Sequence, residues 1–205
     1  MSLLGAVPAG WTVSPMSEVA DIRSGPSGAV VGAEDRRADG HPLITPRALA
    51  DGRVHVDGVA RVRREVAARL TRYLVSLGDV LITRTGTVGR VAWVSEECEG
   101  WLFSTGLLRL RTRQMNSRYL AYYLALPEVQ GWFEHNRQGT AVPVLNRTVL
   151  GKLPVSVPPM ERQDMIVRHL DLLDEQVEVH RRISQVAART RNTLARSLIR
   201  GAEPG

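Results

Sequence analysis

Apolar positions alternate or run in short blocks as far as Val157, and from Ile166 onwards they recur at helical spacing. The change falls in Leu153–Leu173, LPVSVPPMERQDMIVRHLDLL, which predicts a short strand, a double-proline stop and a long amphipathic helix. Pro158 and Pro159 enforce an extended approach and suit the position at or just before a first helical turn, where a missing N–H costs little. Glu161 and Asp164 favour the positive end of the helix dipole that follows. The chain thus divides into a mixed globular part and a helical spacer.

Upstream, Trp11–Arg23 opens the globular part, and Ser24–Gly40, rich in Gly, Pro, Asp and Arg, predicts an exposed loop. His41–Arg47 is an apolar run held between two prolines and predicts an edge strand or extended segment. Arg63–Tyr73 places Val66, Leu70 and Tyr73 at helical spacing, which fits a short helix or an irregular connection. Gly78-Asp79 signals a turn into Val80–Thr83; with Val88–Val94 this predicts a hairpin of β-branched strands. Leu107–Arg111 alternates apolar and basic residues, as a half-buried strand does. Asn116 or Ser117 caps a helix over Arg118–Leu126, Pro127 breaks it, and a second helix covers Glu128–His135. A polar loop, Asn136–Pro143, and a short turn, Asn146–Lys152, lead back to the junction. There is no internal repeat. The expectation is an α+β fold: one mixed domain over residues 1–157, then a C-terminal spacer helix within 158–205.

The length of 205 residues suits one domain of roughly 150 residues with an appendage. No apolar run approaches the ~18 residues of a membrane span. No basic residue precedes Arg23, so no signal peptide is expected either. Cys98 is the single cysteine, which excludes an intramolecular disulfide framework and a multi-cysteine zinc site. A cytoplasmic protein with no membrane partner is the expectation. Charge changes the picture further. Every basic residue except Lys152 is arginine, the side chain that contacts phosphate and guanine bidentately. Residues 1–158 carry 19 basic against 14 acidic side chains, a net of +5, which points to a nucleic-acid partner.

Catalytic signatures are missing. Lys152 follows no Gly-rich phosphate cradle and no paired carboxylates, so neither a Walker A loop nor an acid–acid–lysine nuclease site is present. The (D/N)PP(Y/F) tetrapeptide of adenine methyltransferases and a dinucleotide-binding G-x-G-x-x-G are also absent. His41, His55, His135, His169 and His180 are scattered without metal-ligand spacing. A non-catalytic chain without its own metal or cofactor is expected.

Two loops carry binding chemistry. GDVLITRTGTVGRVAWV, Gly78–Val94, sets Thr83, Arg84, Thr85 and Thr87 on a Gly-punctuated turn, where amides approach phosphates and Arg84 and Arg90 neutralise them. An ordinary hairpin with solvated polar residues reads the same way. NRQGTAVPVLNRT, Asn136–Thr148, gathers Arg137, Gln138, Thr140, Asn146 and Arg147 around Gly139; Asn and Gln read adenine edges and Arg reads guanine. A polar connector with helix caps is the alternative.

Along the spacer, Ile166, Leu170, Leu173 and Val177 are separated by four, three and four residues, as in a coiled-coil seam. In register the seam continues through His180, Ser184, Ala187, Arg191, Leu194 and Leu198, so it is polar in its middle. A helix packed on its own domain would also carry an apolar stripe. The charge distribution favours a partner. Residues 161–178 hold six acids and two arginines, while 180–200 hold six arginines and no acid, so antiparallel pairing sets unlike charges together. About 35 helical residues span roughly 50 Å, more than the ~34 Å of one DNA turn.

These segments resemble, in family order, the specificity subunits of type I restriction–modification systems. The resemblance rests on Pro8–Trp11, GDVLITRTGTVGRVAWV, STGLLRLR (Ser104–Arg111), YLAYYLALPEVQGWF (Tyr119–Phe133), QGTAVPVLNRTVLGKLPVSVPP (Gln138–Pro159) and the E-x-Q of Glu161 and Gln163. Here Arg162 separates Glu161 from Gln163, where family members often have Glu-Gln. A complete subunit has two recognition domains and two spacer helices; this chain has one of each. The resemblance implies recognition of a bipartite DNA sequence on behalf of a separate methyltransferase subunit, and of a restriction subunit where one is present. S-adenosylmethionine and ATP would belong to those partners, and adenine would be the modified base. Half a subunit regains the helix pair by forming an antiparallel homodimer about a two-fold near His180–Ser184. An oligomerising scaffold that has lost DNA binding is the competing expectation, and a stand-alone methyltransferase a more distant one.

Overall fold

The computed structural model describes residues 2–26, 31–32, 35–137 and 144–200. The domain opens with β1 (Thr12–Pro15), the single turn α1 (Met16–Val19) and β2 (Ala20–Ser24). Then come β3 (Arg36–Ile44), β4 (Leu49–Ala50), β5 (Gly52–Val54), β6 (Ala60–Val62) and α2 (Arg64–Ala68). The hairpin β7 (Val80–Thr83) and β8 (Val91–Trp93) follows, with β9 (Leu102–Phe103) and β10 (Leu107–Thr112) after it. Helices α3 (Ser117–Ala125), α4 (Pro127–Asn136) and α5 (Arg147–Gly151) lead to β11 (Pro154–Val157) and the long α6 (Met160–Ile199).

A six-stranded sheet in the order β2-β10-β7-β8-β5-β4 organises the domain. β10 is antiparallel to both β2 and β7, with Leu108 opposite Ser24 and Leu107 opposite Thr83. β7 pairs with β8 as the predicted hairpin, Ile82 opposite Val91. All four residues of β7 are buried, because both faces are covered. Leu81 joins Ile44, Leu49, Val75, Ala92, Phe103 and Leu107 in one core cluster, and α3 packs over β7 and β8 on the other side. Burying each of the larger side chains among these stabilises the fold by about 1.5–3 kcal/mol. A three-stranded sheet, β6-β3-β9, closes over Leu43, Val62, Leu70 and Leu102.

The helices follow their sequence signals. The Asn116 side chain caps α3 by accepting from the amides of Arg118 and Tyr119. Pro127 ends that run and occupies the first turn of α4, where its missing N–H is tolerated. Tyr119 and Tyr123 donate from α3 to the carbonyls of Ser156 and Pro154 at 2.9 and 2.7 Å, fixing β11 to the domain, and burial raises both phenol pKa values. β11 pairs antiparallel with β1 before Pro158 and Pro159 release the chain into α6. Gln163 is buried in that first stretch of helix; it accepts from the Asn116 amide and donates to the Pro158 carbonyl, both at 2.8 Å.

Three expectations are corrected. The loop predicted over Ser24–Gly40 ends earlier, because Arg36–Gly40 already lies in β3, with a register shift between Arg36 and His41. Asp35 at its start is buried against Arg63, 2.6 Å away. The His41–Arg47 segment is no edge: β3 runs between β6 and β9. Pro42 is accommodated because the pairing with β9 begins only at Leu43. Finally, β10 is not half-buried. Arg109 is 4% exposed, held by Asp21 at 3.0 Å with Asp79 at 4.0 Å, since sheet and core close around the strand on both sides.

The chain separates into two compact units, Met1–Asp164 and Met165–Gly205. The second is helical as far as Ile199, and α6 extends over 40 residues, or about 60 Å. Leu172, Leu173, Val177, Val179, Ile183, Val186, Leu194 and Leu198 are all at least half exposed on it. Ile166 and Leu170 are partly covered and Val167 is buried. At 100° per residue, Leu172, Val179, Ile183 and Val186 form a second apolar stripe beside the one predicted, and they fill the middle that the predicted seam leaves polar. No helix among the described residues is long and apolar enough to cross a membrane.

Candidate nucleic-acid interface

The antiparallel register gathers the C-terminal ends of β2 and β7 and the N-terminal ends of β8 and β10 at one end of the central sheet. There the β7–β8 turn is built by its own polar groups. Thr83 Oγ1 donates to the Thr87 carbonyl and accepts from the Arg90 amide at 2.9 Å, and the Thr83 amide donates to the Arg90 carbonyl at 2.9 Å. Gly86 (φ +72°) and Gly89 (φ +92°) supply left-handed conformations that other residues adopt at a cost. A Cβ on Gly89 would also lie 2.8 Å from the Gln130 side chain and 3.0 Å from Phe133, so α4 seats directly on the turn. Gln130 completes this seat by donating to the Gly89 carbonyl at 3.0 Å.

The two loops singled out by their sequence meet here. The Arg84 carbonyl accepts from the Leu145 amide at 2.9 Å, and the Arg84 amide donates to the Gly106 carbonyl at 2.9 Å. Arg84 and Thr85 are partly exposed, and Arg90 is exposed. The Nε of Arg84 is buried without a hydrogen-bond partner. Arg137 follows the last turn of α4 and forms an exposed pair with Glu134 at 2.9 Å, a contact easily exchanged. Asn146 serves as the N-cap of α5, accepting from the Val149 amide at 2.8 Å, so one base-reading oxygen of the sequence argument has a structural task. Arg147 is exposed and lines a separate open cleft with Ser17, Asp21, Arg113 and Lys152. Gln138 and Thr140 lie outside the described residues.

The structure adds residues that lie outside the two loops with binding chemistry. Ser104, Thr105 and Gly106 adjoin Arg84 at the same sheet end, and Ser104 Oγ, like Arg84 Nε, has no partner. A Cβ at Gly106 would meet Pro46 at 2.6 Å and Thr85 Oγ1 at 3.1 Å, which measures how closely these turns pack. Away from this end, Arg118 stacks over the rings of Trp93 and Tyr122 at 5.1 and 5.2 Å. The described residues hold no cluster of three metal-ligating side chains; His41, His135 and His169 each bond to a backbone carbonyl.

Residues 8–189 match the type I restriction modification DNA specificity domain, and the chain belongs to that family. Among curated proteins it is 23% identical over 195 residues to the type I restriction enzyme EcoBI specificity subunit of Escherichia coli, covering 94% of this chain and 41% of the relative. It is 22% identical over 178 residues to the putative MjaX specificity subunit of Methanocaldococcus jannaschii, covering 83% of this chain and 41% of that one. Among solved structures, the HsdS subunit from Thermoanaerobacter tengcongensis superposes with a TM-score of 0.63 at 24% identity, over 87% of this chain and 41% of that chain. A chain from a structure describing complex assembly and conformational transition of the type I R-M system gives 0.67 at 24% identity, over 94% of this chain and 45% of its own. The fold is therefore that of these subunits, and the chain spans less than half the length of each of these relatives.

Proposed function

We propose that this chain is the DNA-recognition subunit of a restriction–modification complex, with a target-recognition domain over residues 1–157 and a spacer helix within 158–205. Membership of the DNA specificity family supports this reading, but one observation carries it. Arg84, Thr85 and Arg90 sit at the same sheet end as the Asn146 segment, joined to it through the Arg84–Leu145 hydrogen bond. In this reading the Gly-punctuated turn grips phosphates, and the segment running through Arg137, Gln138, Thr140, Asn146 and Arg147 lies nearer to base edges. The chain performs no chemistry itself. It presents double-stranded DNA to a methyltransferase subunit and, where one exists, to a restriction subunit.

In this reading the charge split and apolar seam of the spacer helix let two copies supply the two half-sites of a bipartite target. They pair as an antiparallel homodimer through Ile166, Leu170, Leu173, Val177, Ala187, Leu194 and Leu198. The test is electrophoretic or fluorescence binding of a randomised duplex library by the chain assembled with its methyltransferase. Salt-dependent selection of an interrupted sequence is expected; salt-independent or absent binding sinks the reading.

A further inference from the structure

Three buried side-chain nitrogen or oxygen atoms among the described residues lack a hydrogen-bond partner: Arg84 Nε, Ser104 Oγ and Arg109 Nε. The last is accounted for within the protein, since Asp79 lies 4.0 Å from it and Asp21 takes the same guanidinium at 3.0 Å. The other two have no such account, and they occur together. Arg84 is bonded to Gly106, two residues beyond Ser104, and Ser104 is tied to β3 by its amide on the Ile44 carbonyl at 2.9 Å. Both residues are partly exposed although these two atoms are buried, and a change of rotamer is the step that brings such atoms to a ligand. Beside them, the amides of Thr85, Gly86 and Thr87 donate to no carbonyl among the described residues. Leaving buried donors unanswered costs stability, and a native fold that retains two on adjoining turns is poised for something outside it.

We infer that Arg84, Ser104 and the Thr85–Thr87 backbone form one phosphate-binding notch, which a DNA backbone phosphate fills when the complex closes on its target. A guanidinium, a hydroxyl and consecutive amides at a glycine turn are the donor set that such an oxygen-rich anion takes. The inference rests on the DNA-binding reading and adds Ser104 to it, a residue outside both loops that the sequence marked. It also sets Arg84 apart from Arg90, which is exposed and whose contribution is charge alone.

The notch has a signature that ordinary structural residues lack. Arg84→Met and Ser104→Ala remove donors that the free protein does not use, so the full-length chain should melt at the wild-type temperature or above it. DNA binding by the assembled complex should fall in two different ways. Arg84→Met should reduce the slope of log K against log salt by about 1, because one phosphate charge is no longer neutralised. Ser104→Ala should weaken binding about tenfold with the slope unchanged, because a neutral hydroxyl releases no counterion. The double variant should lose less than the sum, since both donors serve one phosphate. A lower melting temperature in both single variants overturns the notch whatever DNA binding does, because it reveals a structural role. Thermal protection by inorganic phosphate, with DNA affinity untouched by either substitution, overturns it as well. If Arg90→Ala and Arg147→Ala weaken binding while these two do not, the notch falls and DNA recognition stands. If the wild-type complex itself shows no salt-dependent binding, the underlying reading falls.

Discussion

Asp79 shows how much a single side chain organises in this domain. It is 1% exposed, takes two hydrogen bonds of 2.8 Å from Arg111, accepts the Ser76 amide and faces Arg109. Burial pushes the Arg109 guanidinium below its ordinary pKa and Asp79 pulls it back up, while the bond to Asp79 raises that of Arg111. Removing the carboxylate leaves the buried Arg109 with Asp21 alone and the Ser76 amide unanswered, so Asp79→Ala should cost about 3–5 kcal/mol. Arg111→Met should cost far less, because its side chain is 44% exposed. Urea denaturation of the three proteins orders them; equal losses would show that Asp79 acts through Arg111 alone. Nothing of this was legible in Leu107–Arg111, where an alternating basic residue looks solvated. The cover on the basic face is assembled from Asp21 and Asp79, far away in sequence, and one strand's pattern cannot reveal it. Gln163 is the reverse case. It stood out as part of a family motif, and the structure supplies the reason: one side chain answers both the Asn116 amide and the Pro158 carbonyl. Gln163→Ala should lower stability by about 1–3 kcal/mol. Gln163→Glu, which keeps the acceptor and loses the donor, should fall between, as thermal melting would measure.

Elements were more legible than their neighbours. The β7–β8 hairpin, the Asn116 cap, the Pro127 break and the Pro158-Pro159 stop each rest on local chemistry, and each lies where the sequence put it. The position of β3 in the middle of its sheet could not be read locally, because it depends on Leu102 and Phe103, some sixty residues on, pairing with Leu43 and Ile44. Within the candidate interface, residue types were legible and their grouping was not. The Arg84–Leu145 bond joins segments about sixty residues apart, and the STGLLRLR motif that Ser104 opens marks the family without placing that serine beside Arg84. The helix α6 adds an element-scale prediction. Its predicted seam holds Leu170 partly covered, whereas the second stripe, Leu172, Val179, Ile183 and Val186, is exposed throughout. If the predicted seam joins the copies, Leu170→Ala with Leu194→Ala should shift sedimentation towards monomer, at about 2–5 kcal/mol per buried leucine. Ile183→Ser should then leave the dimer intact. The opposite pattern would move the interface to the second stripe.

At the scale of the whole molecule, the proposed homodimer makes a prediction about charge. The acidic run 161–178 carries a net of −4 and the basic run 180–200 a net of +6, so parallel helices would stack like on like along their length. Antiparallel pairing about the middle of α6 sets Ile166 near Leu198 and Leu170 near Leu194 of the second copy, with acidic and basic runs facing. Apolar burial at about 1.5–3 kcal/mol per side chain supplies the affinity. Each exposed ion pair contributes only about 0.2–1 kcal/mol, which is enough, summed, to choose orientation. Replacing Asp171, Asp174, Glu175 and Glu178 by arginine should therefore weaken the dimer, and raising salt should narrow the difference from wild type. A two-fold dimer presents the same recognition surface twice in opposed senses, so the methylated target should be an interrupted palindrome. Sequencing of methylated DNA from cells carrying the chain and its methyltransferase reads this directly. Identical, inverted half-sites are the expected result. Unrelated half-sites would mean that a second, different recognition domain completes the complex, and the homodimer would be wrong.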